Sequence, residues 1–162
     1  AKADREELES FARVDAGLDA LEPWDISYVS EKLKQARHQV SALDVKSYFT
    51  EPKVLAGLFA VIEALYGVKI EPDTAPLWQE DVRFYRVLDA RNDLVGQFYL
   101  DLYARAGKRG GAWMDDCRNH RSTGNQVQTP VVLLTCNFGK GVDGKPATFS
   151  HDDVITARTD AF

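Results

Sequence analysis

The chain is short of the residues on which small secreted domains and metal sites depend. It has 162 residues, of which only two are cysteine and three histidine. A disulfide-built domain of this size usually shows more cysteines, so Cys117 and Cys136 read as reduced thiols of a cytoplasmic protein. His38, His120 and His151 fall in three different segments. A structural zinc site takes four ligands and a catalytic one three protein ligands, and no spacing here supplies them. No stretch approaches the roughly 20 apolar residues of a membrane span, so no membrane partner is expected. Residues 1–21 are charged and amphipathic and carry no apolar h-region, so no signal peptide is expected. Positive charge is not in excess either: 20 Lys and Arg against 25 Asp and Glu give −5. The densest basic run, residues 105–109, is too short to make the basic footprint that nucleic acid requires. Internal repeats and low-complexity tracts are absent.

What is present is a globular balance, 44% hydrophobic and 28% charged, in a chain long enough to bury a core as one domain over 1–162. Residues 1–70 read as mainly helical. Leu8, Phe11, Ala12, Leu18 and Leu21 suggest one apolar stripe, interrupted by Gly17 and ended by Pro23. Asp25 stands where a second helix is capped, with Ile26, Val29, Leu33, Ala36 and Val40 on one face. Thr50-Glu51-Pro52 starts a further helix, and Gly67 sits where its C-terminal cap belongs. "EPDTAPLW" is a proline-bearing connector.

Residues 80–140 change period and read as β-rich. "VRFYRVLD" and "LVGQFYLDLYA" flank the turn "ARND" and predict a β-hairpin. In the second strand Phe98, Leu100 and Leu102 face one way, and Tyr99, Asp101 and Tyr103 the other. "PVVLLTCNF" is apolar enough for a strand buried on both faces. The class is α+β, N-terminal helices packed on a small, mostly antiparallel β-sheet. Ser150 and Asp153 then open a helix over 150–156, and 157–162 show no recognisable continuation.

Several constellations tempt a catalytic reading. "GKRGGAW" lacks the order of a phosphate-binding P-loop and reads as a glycine turn, with Gly110 and Gly111 permitting positive φ. Cys117 and His120 lie three apart, but their ligand count falls short of a metal site. Asp115-Asp116 and Asp152-Asp153 are adjacent carboxylates, which point apart on a strand; the second pair suits the first turn of a helix. There is no Gly-x-Ser-x-Gly elbow. A cysteine nucleophile stays open as an alternative, although Cys136 reads as a buried, inert thiol.

The segments "LEPWDISYVSEKLKQ", "LFAVIEALYGV", "DVRFYRVLD", "GQFYLDLYARAGKRGGAWMDDCRNH", "PVVLLTCNF" and "GKPATFSHDDVIT" together resemble the thimet oligopeptidase / oligopeptidase A family of zinc metallopeptidases, in the family's order and spacing. The likeness runs from about Leu21 to Thr156 and is strongest to the bacterial oligopeptidase A branch. It implies that the segment "SHDDVIT" leads into a helix bearing His-Glu-x-x-His, whose histidines bind zinc and whose glutamate activates water. From Ala157 on, "ARTDAF" has no histidine and no glutamate, so no metal ligand or catalytic residue is expected in this chain, and no cofactor. The family's long N-terminal helical portion has no counterpart here. The expectation is a truncated, catalytically incomplete homologue, at most peptide-binding.

By analogy with zinc peptidases in which a strand before the zinc helix pairs with substrate, the candidate substrate-binding edge is Leu133, Leu134, Thr135, Cys136, Asn137 and Phe138. The rival reading makes this run a core strand. Two other functions stay open: a protein-binding or protease-inhibitory module, and an enzyme of unrelated chemistry using Cys117, His120, Asp115 and Asp116. Peptides or a protease are the expected partners. Surfaces left bare by truncation would favour self-association.

Overall fold

The computed structural model describes residues 2–39, 41–124 and 126–161. Two compact units divide the chain, Ala1–Tyr48 and Phe49–Phe162.

The first unit is helical: α1 (Lys2–Asp15), α2 (Ile26–His38) and α3 (Ala42–Tyr48). α1 packs on α2, with Ala12 and Val29 as the buried residues of the two helices. The stripe expected to run through Leu21 is cut earlier. Gly17 takes φ +67° and the Leu18 N–H closes on the Ala12 carbonyl at 3.0 Å, a Schellman-type end that leaves Leu18 and Leu21 outside α1. Asp25 holds the N-cap position of α2 without a side-chain capping bond. Val40, expected on the α2 face, lies outside the described residues. α3 is capped reciprocally: the Ser41 N–H donates to Asp44 Oδ2 at 3.0 Å and the Asp44 N–H to Ser41 Oγ at 3.1 Å.

The second unit begins with α4 (Glu51–Tyr66), followed by β1 (Lys69–Pro72), β2 (Arg83–Leu88), β3 (Leu94–Tyr103), β4 (Trp113–Arg118), β5 (Arg121–Thr123), β6 (Gln126–Gln128), β7 (Val131–Phe138) and α5 (His151–Ala161). α4 starts with Pro in its first turn and ends at Gly67, φ +65°, as its sequence predicts. The main sheet has the order β1-β2-β3-β7-β4, and β5-β6 form a separate hairpin. The β3–β7 pairing is parallel and the other three are antiparallel. This is the expected α+β class with a mostly antiparallel sheet.

α4 lies on the sheet through aromatic edges. Phe59 meets Tyr85 at 5.0 Å between ring centroids and Phe98 at 6.1 Å, both T-shaped, and such pairs add about 0.5–1.5 kcal/mol each beyond their burial. Leu55, Leu100, Leu134, Cys136, Phe149 and Ala157 join one core.

A short crossing ties the start of α4 to the approach to α5. The Glu51 N–H donates to the Ala147 carbonyl and the Phe149 N–H to the Phe49 carbonyl, each at 2.8 Å. α5 then opens with a capping box: Ser150 N–H to Asp153 Oδ2 at 2.7 Å and Asp153 N–H to Ser150 Oγ at 3.1 Å, satisfying two donors that a helix start leaves orphaned. Contrary to expectation, the helix does not stop near 156. Ala157 is buried in the core at 4% exposure, so apolar packing carries the helix on through "ARTDA". Among the described residues no helix is long and apolar enough to cross a membrane.

Candidate functional site

The strand expected to offer a free edge does not have one. β7 is hydrogen-bonded to β3 on one side and to β4 on the other, and none of its residues is exposed. Its apolar run therefore reflects a central strand, buried by two neighbours as well as by both faces. Leu133, Leu134 and Thr135 pair with Asp115, Met114 and Trp113. Cys136 is fully buried, Phe138 packs on Phe149 at 4.6 Å, and Asn137 turns its side-chain amide to the loop before β4. The outermost strand on this side is β4, which the sequence pattern alone does not mark as a sheet strand.

β4 is held in place from its N-terminal end. Asn137 Nδ2 donates to the Arg109 carbonyl at 2.9 Å and to the Gly111 carbonyl at 2.6 Å. Gly107 at φ +78° and Gly111 at φ +98° make the turns; these positions, rather than Gly110, need glycine's conformational freedom. The loop is pinned by Lys108, whose side chain is 5% exposed. Its Nζ donates to Asp101 Oδ1 at 2.8 Å and to the carbonyls of Asp101, Tyr103 and Cys136 at 3.0, 2.9 and 2.6 Å. Its charge is thus spent on this chain's own acceptors, and the loop offers no lysine to a phosphate.

Asp101 is buried at 6% exposure. Arg105 grips it with two bonds of 2.7 and 2.8 Å, and Trp78 Nε1 donates to it at 3.2 Å. Burial pushes the carboxyl up, but the hydrogen bonds from Arg105 and Lys108, the Lys108 charge and the Trp78 bond outweigh it and hold Asp101 below its ordinary range. Tyr103, also buried, donates to Glu51 Oε2 at 2.8 Å, while Glu51 Oε1 pairs with Arg83. Burial first, and then the Glu51 bond, push the Tyr103 phenol up to about 12. Neither network was legible from spacing, apart from the Asp101–Arg105 interval of four.

The exposed part of the site is β4 itself. Met114, Asp115, Asp116, Cys117 and Arg118 are all exposed, and Trp113 is half-buried beneath the Arg109 guanidinium, 5.8 Å from its ring. A register shift between Asp116 and Arg118 makes Cys117 an extra, bulged residue. Asp115 and Asp116 point to opposite faces, as adjacent strand residues must. His120 follows β4 in an exposed turn. The structure thus sets Cys117, His120, Asp115 and Asp116 along one open strand and turn, without gathering them into a buried constellation. Among the described residues no group of three or more His, Cys, Asp or Glu could hold a metal ion. The donor set among the described residues does not fit the zinc that the resemblance implies.

The family model for Peptidase family M3 matches residues 1–157. This chain belongs to that family. Oligopeptidase A of Escherichia coli (strain K12) is 49% identical over 152 residues, covering 93% of this chain and 22% of that protein. Oligopeptidase A of Haemophilus influenzae is 42% identical with the same coverages. A dipeptidyl carboxypeptidase of Salmonella typhimurium is 32% identical over 155 residues, 94% of this chain and 22% of its own. The M3 chain spans about a fifth of the length of these curated relatives.

Proposed function

We propose that this M3 chain is a peptide-docking sheet, to whose β4 edge an extended peptide adds as a further strand. The observation that carries this reading is the strand order: among the described residues β4 ends the sheet and pairs with β7 alone. Such an edge presents main-chain donors and acceptors that give affinity, with side-chain contacts on alternate residues giving selectivity. The role foreseen for Leu133–Phe138 passes one strand outward. The lysine-pinned glycine loop fixes β4 at its N-terminal end, so the edge is preformed and ordering it costs little on binding.

Hydrolysis is not part of the proposal. A bound zinc lowers the barrier by several kcal/mol through water activation and carbonyl polarisation, and the described residues do not assemble its ligands. The purified chain should bind extended peptides without cleaving them, with or without added zinc. Peptide turnover abolished by a chelator would overturn the inactivity. Failure of peptides to perturb β4 would overturn the docking.

A further inference from the structure

α4 does not seal the sheet beneath it. Leu58, Phe59 and Ile62 remain half-buried on its inner side, and between them and the sheet lies a cavity of about 160 Å³. Every residue lining it is apolar, among them Leu58, Ile62, Phe98, Met114, Val132 and Leu134. An engineered cavity of about 150 Å³ lined by Leu, Ile and Phe stays dry and takes up benzene. The space here is therefore that of one aromatic ring.

Its position links it to β4. Met114 is 59% exposed, and it lines the cavity together with Leu134, its register partner on β7. A strand added outside β4 would lie about 4.8 Å away. Its residue opposite Met114 would point to the same face, with Cβ about 5 Å from that of Met114. Met114 is unbranched and adaptable, so it can move aside for an entering group.

We infer that the cavity is a side-chain pocket of the β4 docking site and takes one aromatic or branched apolar side chain of the added peptide. This rests on the docking reading and adds a selectivity to it. Asp115, next along β4, points to the opposite face, while Asp116, two residues on and paired with Val132, shares the face of Met114.

The test is calorimetric titration of the whole chain with extended peptides identical except for Phe, Leu or Ala at one central position. The Phe peptide should bind about tenfold or more tighter than the Ala peptide, the gain expected from burying such a side chain. Ile62→Phe, which fills the cavity, should bring that ratio towards one. Because overpacking can disturb folding, Met114→Lys at the exposed mouth provides a second variant, with the same expected loss of ratio. Benzene alone is the independent probe, read from the methyl signals of Leu58, Ile62 and Leu134.

If Phe and Ala peptides bind equally while protecting β4 amides, the pocket is overturned and the docking stands. If benzene binds but no peptide does, the docking reading falls, and the peptide side chain with it. If neither binds, both fall. Concentration-dependent dimerisation abolished by Met114→Lys would identify a second copy of the chain as the occupant and overturn the proposal.

Discussion

Replacing Lys108 by Met should unsettle the second unit more than any comparable change on its surface. The methionine keeps the aliphatic stem but removes an ammonium whose three N–H groups reach four acceptors, from a side chain that is 5% exposed. Removing one member of a buried ion pair costs about 3–5 kcal/mol. Here the lower end applies, because Asp101 keeps two bonds from Arg105 and one from Trp78. An expected loss of about 3 kcal/mol is a large fraction of the roughly 5–15 kcal/mol that holds a domain folded. In a chain of this length it should lower the melting temperature by roughly 6–12 °C. Urea unfolding of the whole chain provides the measurement, with Lys53→Met as an exposed control expected within about 0.5 kcal/mol of wild type. Combining Lys108→Met with Asp101→Asn should cost less than the sum of the two, because they share one network. A loss under about 1 kcal/mol for Lys108→Met would mean that the lysine is solvated and the loop is not pinned as described.

Three further expectations concern the same framework. Tyr103 is held protonated up to about 12 in the folded chain. Its stabilisation should be complete below about pH 10 and fade as the pH rises towards 12, and Tyr103→Phe should flatten this alkaline decline in a denaturation series. Asp101 lies below its ordinary 3.8, so its contribution should persist above that value and disappear as acid protonates the folded form; Asp101→Asn should lose less stability than wild type as the pH falls below that value. Gly141→Ala should destabilise strongly, since an added Cβ would lie 2.0 Å from the Lys145 carbonyl oxygen, whereas at Gly96 the nearest atom is 3.5 Å away. Thermal melts of the two variants should separate clearly.

The elements whose signals are local were legible in the sequence. Thr50-Glu51-Pro52 and Gly67 bracket α4 because N-terminal proline and C-terminal glycine act within one turn. Residues 83–88 and 94–103 form the expected hairpin because β-branched and aromatic residues flank a turn. Ser150 and Asp153 cap α5 as read. What failed depends on neighbours distant in sequence. β4, "WMDDCR", is too polar to look like a strand, because as an outer strand it leaves most side chains in water. Without it, β7 could not be recognised as central, and the candidate edge was placed one strand too far in. Alternation places Asp101 and Tyr103 on one face without saying what covers it; Lys108, Arg105 and Glu51 do so through contacts that no pattern announces. The Ser41–Asp44 cap of α3 is a local signal of the same kind.

The most direct measurement is amide hydrogen exchange of the whole chain, with and without an extended peptide carrying Phe. Docking on the open edge requires slower exchange at residues 113–118 of β4 and little change along β1, the sheet's opposite margin. Protection confined to β1, or no change at β4 under saturating peptide, would contradict the account.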